Sequence, residues 1–336
     1  MTASARSMIS VVVPVRDEEE SLTTLHDELG AVFTGLARGP VEFIFVDDGS
    51  RDGSWNVLAA LSSSDPRVSA IRFRRNFGKA AALTAAFQAA RGDLVFTLDG
   101  DLQDDPAEIP RFLDRLEDGY DVVSGWKKIR HDPWHKVYPS RVFNWLVSWL
   151  TGCRLHDHNC GFKLYRREVL REVGIYGELH RFIPVLAHAR GFRVGELEVR
   201  HRRRRHGASK YGIARFIKGF LDLVTVRFLT RFRERPLHML GGFGLSLFAL
   251  GGIGMISLAI FWLDPANRPI GNRPLLFYSI ALLLIGLQLV TVGILAELVT
   301  AYNVRPEDVY SIAERIPTSE SPVLHAESDV HPRPPS

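Results

Sequence analysis

The sequence predicts an α/β domain with a parallel sheet, followed by a pair of membrane-spanning helices. Three observations carry this. β-branched runs alternate with stretches of helical periodicity through the first half; acidic clusters fall at the ends of two of those runs; and two long apolar stretches near the end contain no Lys or Arg.

The elements follow in order. Ile9–Val15 is a β-branched run that reads as a buried strand, and an acidic loop over 17–20 follows it. Leu22, Leu25, Leu29, Val32, Phe33 and Leu36 then recur at helical spacing. A second strand over 41–46 ends in Asp47-Asp48-Gly49-Ser50, and a short helix runs through Trp55, Leu58 and Leu61. A third strand lies over 68–73, an Ala-rich helix over 78–90, and a fourth strand over 94–98 runs into Asp99-Gly100-Asp101-Leu102-Gln103. In open α/β sheets ligands bind beyond the carboxyl ends of strands, where both acidic clusters fall.

The apolar stretches over 239–263 and 275–299 are each long enough to cross a hydrocarbon core of roughly 30 Å. Their connector, 264–274, is short and rich in Pro and Gly, so the two form a hairpin and both chain ends lie on one side. Arg227, Arg231, Arg233 and Arg235 precede the first span, whereas the connector carries only Arg268 and Arg273 beside Asp264, which puts the large N-terminal domain and both termini in the cytoplasm. The start, MTASARSMIS, has no hydrophobic signal region and agrees with that side. The alternative is a pair of buried helices in a large soluble core. Glu297 is expected near the interface, reaching water, and Gln288 as helix-packing polarity.

Four regions result: a cytoplasmic α/β domain over 1–212, an amphipathic juxtamembrane region over 213–236, the hairpin over 237–303, and a largely disordered tail over 304–336. Within the second, Arg215, Lys218, Asp222 and Thr225 fall on one side, opposite Phe216, Ile217, Phe220, Leu221, Val224 and Phe228. Such a helix would lie in the headgroup plane, or else pack as a buried amphipathic helix. Trp145 and Trp149, one turn apart after Arg141, suggest a second interfacial contact, with core packing as the alternative. The 336 residues carry 42 Lys and Arg against 38 Asp and Glu, a mild excess crowded into 200–205 and 227–235. Anionic lipid or phosphate suits that crowding better than nucleic acid. With 2 Cys no disulfide framework is implied. Self-association as a homo-oligomer stays open.

Two aspartates one residue apart on a turn after a strand can aim their carboxylates at one small space, and oxygen ligands of that kind suit Mg²⁺ or Mn²⁺, which also bridges a diphosphate. No glycine-rich P-loop is present, so a nucleotide would be held by carboxylates and metal. Cys153, His156, His158 and Cys160 invite a zinc reading, but four ligands on so short a stretch would struggle to surround a tetrahedral ion. A loop presenting Asp157 is preferred, with a helix cap as the plainer role for that residue.

The segments VVVPVRDEEESL, FVDDGSRDGS, RRNFGKAAALTAAF, TLDGDLQDDP, HDHNCGFKLYRREV and RRRRHGASKYG together resemble the family 2 glycosyltransferases that act on polyisoprenyl phosphates, over about residues 9–303. The resemblance implies a GT-A fold, a Rossmann-like α/β domain that binds a nucleotide-diphosphate sugar with a divalent metal. It implies that Pro14, Glu18 and Asp48 help form the nucleotide pocket with Asp47 beside them, and that Asp99, Asp101 and Gln103 hold the metal. Asp157 would face the reacting centre, and Arg204, Ser209 and Lys210 would grip phosphate groups; Arg202, Arg203 and Arg205 read as a solvated or membrane-facing basic loop. Arg16-Asp17 stands where the family carries Tyr-Asn, which leaves the base, uracil or guanine, open. The implied reaction is inverting, metal-dependent transfer of a hexose from UDP-glucose or GDP-mannose to a polyisoprenyl phosphate. A processive polysaccharide synthase is the rival enzyme, but this chain has no Arg-Trp pair of the kind such enzymes carry in their acceptor motif, and only two spans. A non-catalytic nucleotide-binding subunit is the third reading.

Overall fold

The computed structural model describes residues 7–36, 39–128, 134–173, 179–202, 222–223, 225–227, 236–264 and 271–303. Seven strands form one sheet in the order β3-β2-β1-β4-β6-β5-β7. They are β1 Ile9–Val15, β2 Val41–Asp47, β3 Val68–Arg72, β4 Leu94–Thr97, β5 Val122–Trp126, β6 Lys163–Arg166 and β7 Val194–Glu198. The first four run parallel, as the alternating pattern predicts. Side chains on successive strand residues point to opposite faces. Val11, Val13 and Val15 therefore pack with Phe43 and Phe45 against α1 (Glu19–Gly35) and α2 (Ser54–Ser64). Val12, Ile44 and Val46 pack against α3 (Lys79–Ala89) on the other side. Leu22, Leu25, Leu29 and Phe33 form the buried stripe of α1, and small Ala80, Ala82 and Ala86 let α3 lie close to the sheet.

The parallel pattern breaks at β6, which runs antiparallel to both β4 and β5. A reversed strand begins at the end of the sheet where its parallel neighbours finish. Residues just before Lys163 are thereby delivered to the carboxyl end of β4. Apolar patterning does not distinguish the two directions in a strand covered on both faces, so the sequence carried no sign of this reversal. β4 ends at Thr97, opposite Val12, so the last three residues of β1 run on past it. Pro14, which has no N–H to donate, lies in the stretch bonded to β2 alone.

Between β4 and β6 in the chain lie α4 (Ile109–Glu117), β5 and α5 (Trp134–Thr151); after β6 come α6 (Arg167–Glu172), a 3-10 turn at Leu179–Phe182, and α7 (Ile183–Ala189). Two helices, Pro236–Leu263 and Pro274–Asn303, are long and apolar enough to cross a membrane and pack on each other as a candidate hairpin. Their outer surface is lined by exposed Phe, Leu and Ile side chains, unlike the buried soluble helices of the alternative reading. Glu297 accepts a hydrogen bond from Leu237 N at 3.0 Å, so it caps the start of the first hairpin helix as well as lying near the span end. Gln288 is exposed, and does not supply the packing polarity expected of it; Ser279, 1% exposed, sits between the helices instead. The tail over 304–336 lies outside the described residues, as does most of 213–236. Of the latter, Leu223 and Val226 are fully buried against α5.

Candidate active site at the carboxyl ends of the parallel strands

Three chain segments meet at the carboxyl ends of β1 and β4. Ser21, at the start of α1, donates from Oγ to Gly100 O at 2.7 Å, fastening the β1–α1 loop to the turn after β4. Glu18 N donates to Ser54 Oγ at 2.9 Å, and the Glu18 carboxylate lies against Gly100, where any Cβ would overlap it. From the opposite side comes the segment before β6. A Cβ on Gly161 would stand 2.8 to 3.0 Å from the Asp99 carboxylate atoms, so Asp99 rests on a residue that has none.

The Asp99 side chain is about one-third exposed and forms an ion pair with Lys79, the first residue of α3. Burial alone would raise its pKa; Lys79 foremost, then Lys127 and His180, bring it down to about 2. The pair with Lys79 thus favours the carboxylate form of Asp99. Asp101 accepts a hydrogen bond from Gln103 N at 3.2 Å, closing a turn that holds Leu102 at φ 59°. Asp104 is buried and pairs with Lys127 at 2.7 Å. Burial works against the Lys127 charge, but Asp104, Cys160 and Asp99 together push its pKa above the ordinary lysine range.

Asp47 and Asp48 hold backbone. Asp47, fully buried, accepts from Ser50 N at 2.8 Å and faces Arg72 Nε at 3.4 Å. Asp48 accepts from Phe77 N at 2.6 Å and Gly78 N at 3.0 Å, so it fixes the entry to α3 and with it the place of Lys79. Asp157 is 1% exposed, and it accepts from Asn159 N at 3.1 Å while its own N–H donates to Glu196 Oε1 at 3.0 Å. It sits in a tight turn rather than capping a helix. Buried Lys163 links it to the strand ends: burial lowers the Lys163 pKa to about 8, and both Asp157 and Asp99 oppose that shift. The Cys153, His156, His158 and Cys160 side chains turn to separate neighbours. His156 stacks on Trp126 at 4.2 Å and reaches Glu196, while His158 points inward to Ser148.

Arg204, Ser209 and Lys210 lie outside the described residues. Arg202, read from the sequence as a solvated or membrane-facing residue, is neither. Its guanidinium pairs with Glu28 at 2.8 Å and Asp105 at 2.7 Å, and its N–H donates to Gln103 O at 3.0 Å. The bridge between Asp104 and His201 completes the join, so the basic run starts at the turn that carries Asp101 and Gln103. Lys79, Lys127, Lys163 and His180 are the neighbours that sequence reasoning missed, and Arg202 is one it read differently. Lys79 stood in a segment already singled out, one residue after the glycine that opens a helix. Residues 163 and 180 come close only because β6 is reversed and the turn at Leu179–Phe182 packs on α3.

Asp99, Asp101 and Gln103 offer oxygen donors only. No group of three or more His, Cys, Asp or Glu among the described residues stands close enough to hold a cation alone. That fits a hard divalent cation, which binds through one or two carboxylates and completes its shell with phosphate oxygens and water. Lys79 supplies the balancing charge on Asp99.

The dodecaprenyl-phosphate galacturonate synthase of Rhizobium johnstonii is 39% identical over 298 residues, covering 87% of this chain and 87% of that protein. The chain belongs to glycosyl transferase family 2. The description of that family, "Glycosyl transferase family 2", matches residues 10–174. The undecaprenyl-phosphate 4-deoxy-4-formamido-L-arabinose transferase of Pseudomonas paraeruginosa is 37% identical over 86% of this chain and 84% of its own length. Among solved structures, mannosyl-3-phosphoglycerate synthase from Rubrobacter xylanophilus superposes with a TM-score of 0.52 at 16% identity over 66% of this chain and 74% of that one. Glucosyl-3-phosphoglycerate synthase from Mycobacterium tuberculosis, in complex with Mn²⁺, UDP and phosphoglyceric acid, gives 0.51 at 18% identity over 67% and 78%. At these identities the likeness concerns the fold, which is the GT-A-like mixed α/β sheet expected of the family.

Proposed function

We propose that this glycosyltransferase moves a sugar from a nucleoside-diphosphate donor onto a polyprenyl phosphate at the cytoplasmic face of a membrane, with inversion. The observation that carries the reading is Asp99, paired with Lys79 and two residues from Asp101, at the strand ends of a chain that also bears the apolar hairpin, together with long relatives whose names specify polyprenyl-phosphate acceptors. A phosphate monoester has its second ionisation near pH 6, so the acceptor oxygen is already an anionic nucleophile and needs no strong base. The site must align that oxygen with the anomeric carbon and offset the charge of the departing diphosphate.

Asp99, Asp101 and Gln103 would hold the cation, and Mg²⁺ or Mn²⁺ bound there offsets the leaving-group charge; the solved structure with Mn²⁺ and UDP supports the class of metal. Pro14, Glu18, Asp47, Asp48 and Ser209 are assigned to the donor, Glu18 and Asp48 by their hold on the Asp99 turn and the start of α3. Asp157 is assigned to the reacting centre. Arg204 and Lys210 would reduce the repulsion between two phosphate-bearing reactants, Arg204 through a bidentate fork. The sequence expects UDP-glucose or GDP-mannose. Relatives named for a galacturonate and a formamido-arabinose widen the donor class to acidic and amino-sugar derivatives.

Docking on the bilayer is assigned to the hairpin and to α5. Trp145 and Trp149 are 65% and 69% exposed, their rings stacked at 6.2 Å, which removes core packing as their role and suits an interfacial contact. The test is to incubate membranes containing the chain with a panel of labelled nucleotide sugars and extract into organic solvent. Label in the organic phase supports the reading. A hydrophilic polymer would favour the processive synthase, and no product with any donor would favour a binding subunit.

A further inference from the structure

α5 has three working sides, set by the 100° that separates successive helix residues. One side, Phe143, Leu146, Val147 and Leu150, packs with Leu155, Phe182 and Leu223 in a core of its own. A second, Val142, Trp145 and Trp149, is exposed. The third carries Asn144, 4% exposed, and Ser148 one turn later. Asn144 Nδ2 donates to His156 O at 2.9 Å, and Asn144 Oδ1 accepts from Asn159 Nδ2 at 3.2 Å. Ser148 Oγ lies 3.0 Å from both Leu155 O and the His158 ring nitrogen. Two side chains of one helix thus bind the four residues that flank Asp157, two on each side. Glu196, on β7, holds the same segment through His156 N at 2.9 Å and Asp157 N at 3.0 Å.

We propose that Asn144 and Ser148 are positioning residues that make the setting of Asp157 depend on how α5 lies on the bilayer, so that contact with the membrane through Trp145 and Trp149 raises turnover. This rests on the assignment of Asp157 to the reacting centre. A helix moves as a rigid body, so an anchor on one side fixes the hydrogen bonds on the next. With α5 off the bilayer, the Asp157 turn is tethered to a helix that, among the described residues, is held on its core side while the side bearing Trp145 and Trp149 is exposed. A misplacement of about 1 Å at a reacting group costs on the order of 100-fold in rate, so a loosening of half that is readable as about tenfold. The device would keep donor hydrolysis low where no lipid acceptor is at hand.

The experiment compares transfer to the same polyprenyl phosphate in liposomes and in detergent micelles, using the full chain and its Trp145→Ala/Trp149→Ala, Asn144→Ala, Ser148→Ala and Ser148→Thr variants. The expected result is a wild-type kcat about tenfold higher in liposomes than in micelles. The double Trp variant should fall to the micelle value in liposomes and be unchanged in micelles. Asn144→Ala should lose about tenfold in kcat, with both KM values within about twofold, and lose the liposome advantage. Ser148→Ala should do the same to a lesser degree and Ser148→Thr, which keeps the hydroxyl, should restore it. Amide hydrogen exchange over 155–159 should slow on liposome binding in the wild type and not in Asn144→Ala. If Asn144→Ala fails to fold, the Ser148 pair decides alone. An active wild type whose Asn144→Ala or Ser148→Ala variants keep the full liposome advantage overturns the inference and leaves the proposed function standing. No transfer by the wild type with any donor overturns both.

Discussion

Gly161→Ala tests the site with a single methyl group. Gly161 does not occupy the left-handed region that favours glycine, so alanine fits its backbone and the perturbation is confined to the new Cβ. That Cβ would stand 2.8 Å from Asp99 Oδ2 and 2.9 Å from Oδ1, whereas uncrowded heavy-atom contacts begin near 3.4 Å, so the carboxylate must retreat by about half an ångström. The obstructed atoms are the free end of a side chain, not backbone. The stability cost should therefore be small, at most about 1 kcal/mol and at the low end of overpacking effects. The functional cost should not be small. Displacing one assigned cation ligand by half an ångström should lower kcat about tenfold and weaken Mn²⁺ binding by a similar factor. Lipid-linked labelled sugar gives the rate, Mn²⁺ titration the affinity and a thermal melt the stability. Unchanged rate and Mn²⁺ affinity in a well-folded Gly161→Ala protein would refute the claim that Asp99 and Gly161 share one crowded site.

Asp101→Ala should abolish transfer while the protein still inserts in the membrane, and near-wild-type turnover in that variant with chelator present would discard the metal assignment. Lys79→Ala should shift the acid limb of the pH–rate profile upward. The folded pKa of Asp99 is held down at about 2 by Lys79, so without it protonation begins at higher pH and activity is lost sooner as pH falls; an unmoved limb would contradict this. Removing residues 237–303 while keeping Leu223 and Val226, which complete the α5 core, should leave nucleotide-sugar binding intact and cost most transfer to membrane-borne acceptor, with equal activity refuting the anchor. Arg202→Ala should raise the KM for donor or metal several-fold, because it removes the guanidinium pairs with Glu28 and Asp105 that hold the start of the basic run; a change only in thermal stability would make Arg202 purely structural.

Much of the sheet was legible because its signals are local. The run Ile9–Val15 needs a buried strand, the spacing of Leu22, Leu25 and Leu29 needs a helix face, and the acidic residues that close β2 and β4 then fall at one edge by connectivity alone. The direction of β6 was not legible. Lys163–Arg166 is buried on both faces, so its composition is compatible with either orientation, and only pairing with β4 on one side and β5 on the other decides it. Gln288 shows a related limit: one polar residue in an apolar helix implies no direction, and here it is exposed while Ser279 lies between the helices.

What the sequence missed in the site has a common cause, and that cause says how the site works. Carboxylates at strand ends announce themselves because burying them without partners is costly, but the cations that answer them come from distant positions. Lys79 arrives on α3 because Asp48 takes the amides of Phe77 and Gly78, so an acidic residue assigned to the nucleotide also places the counter-charge of Asp99. Lys127 reaches Asp104 from the end of β5, and Lys163 arrives on the reversed strand. The Asp99 turn is thus held in a lattice of alternating charge before any donor enters. On the proposed reading, a diphosphate bringing its own cation would meet carboxylates already fixed in place, with little reorganisation left for the moment of transfer. A soluble enzyme could use the same arrangement; on that reading, the exposed Trp145 and Trp149 and the apolar hairpin would direct it toward an acceptor that never leaves the bilayer.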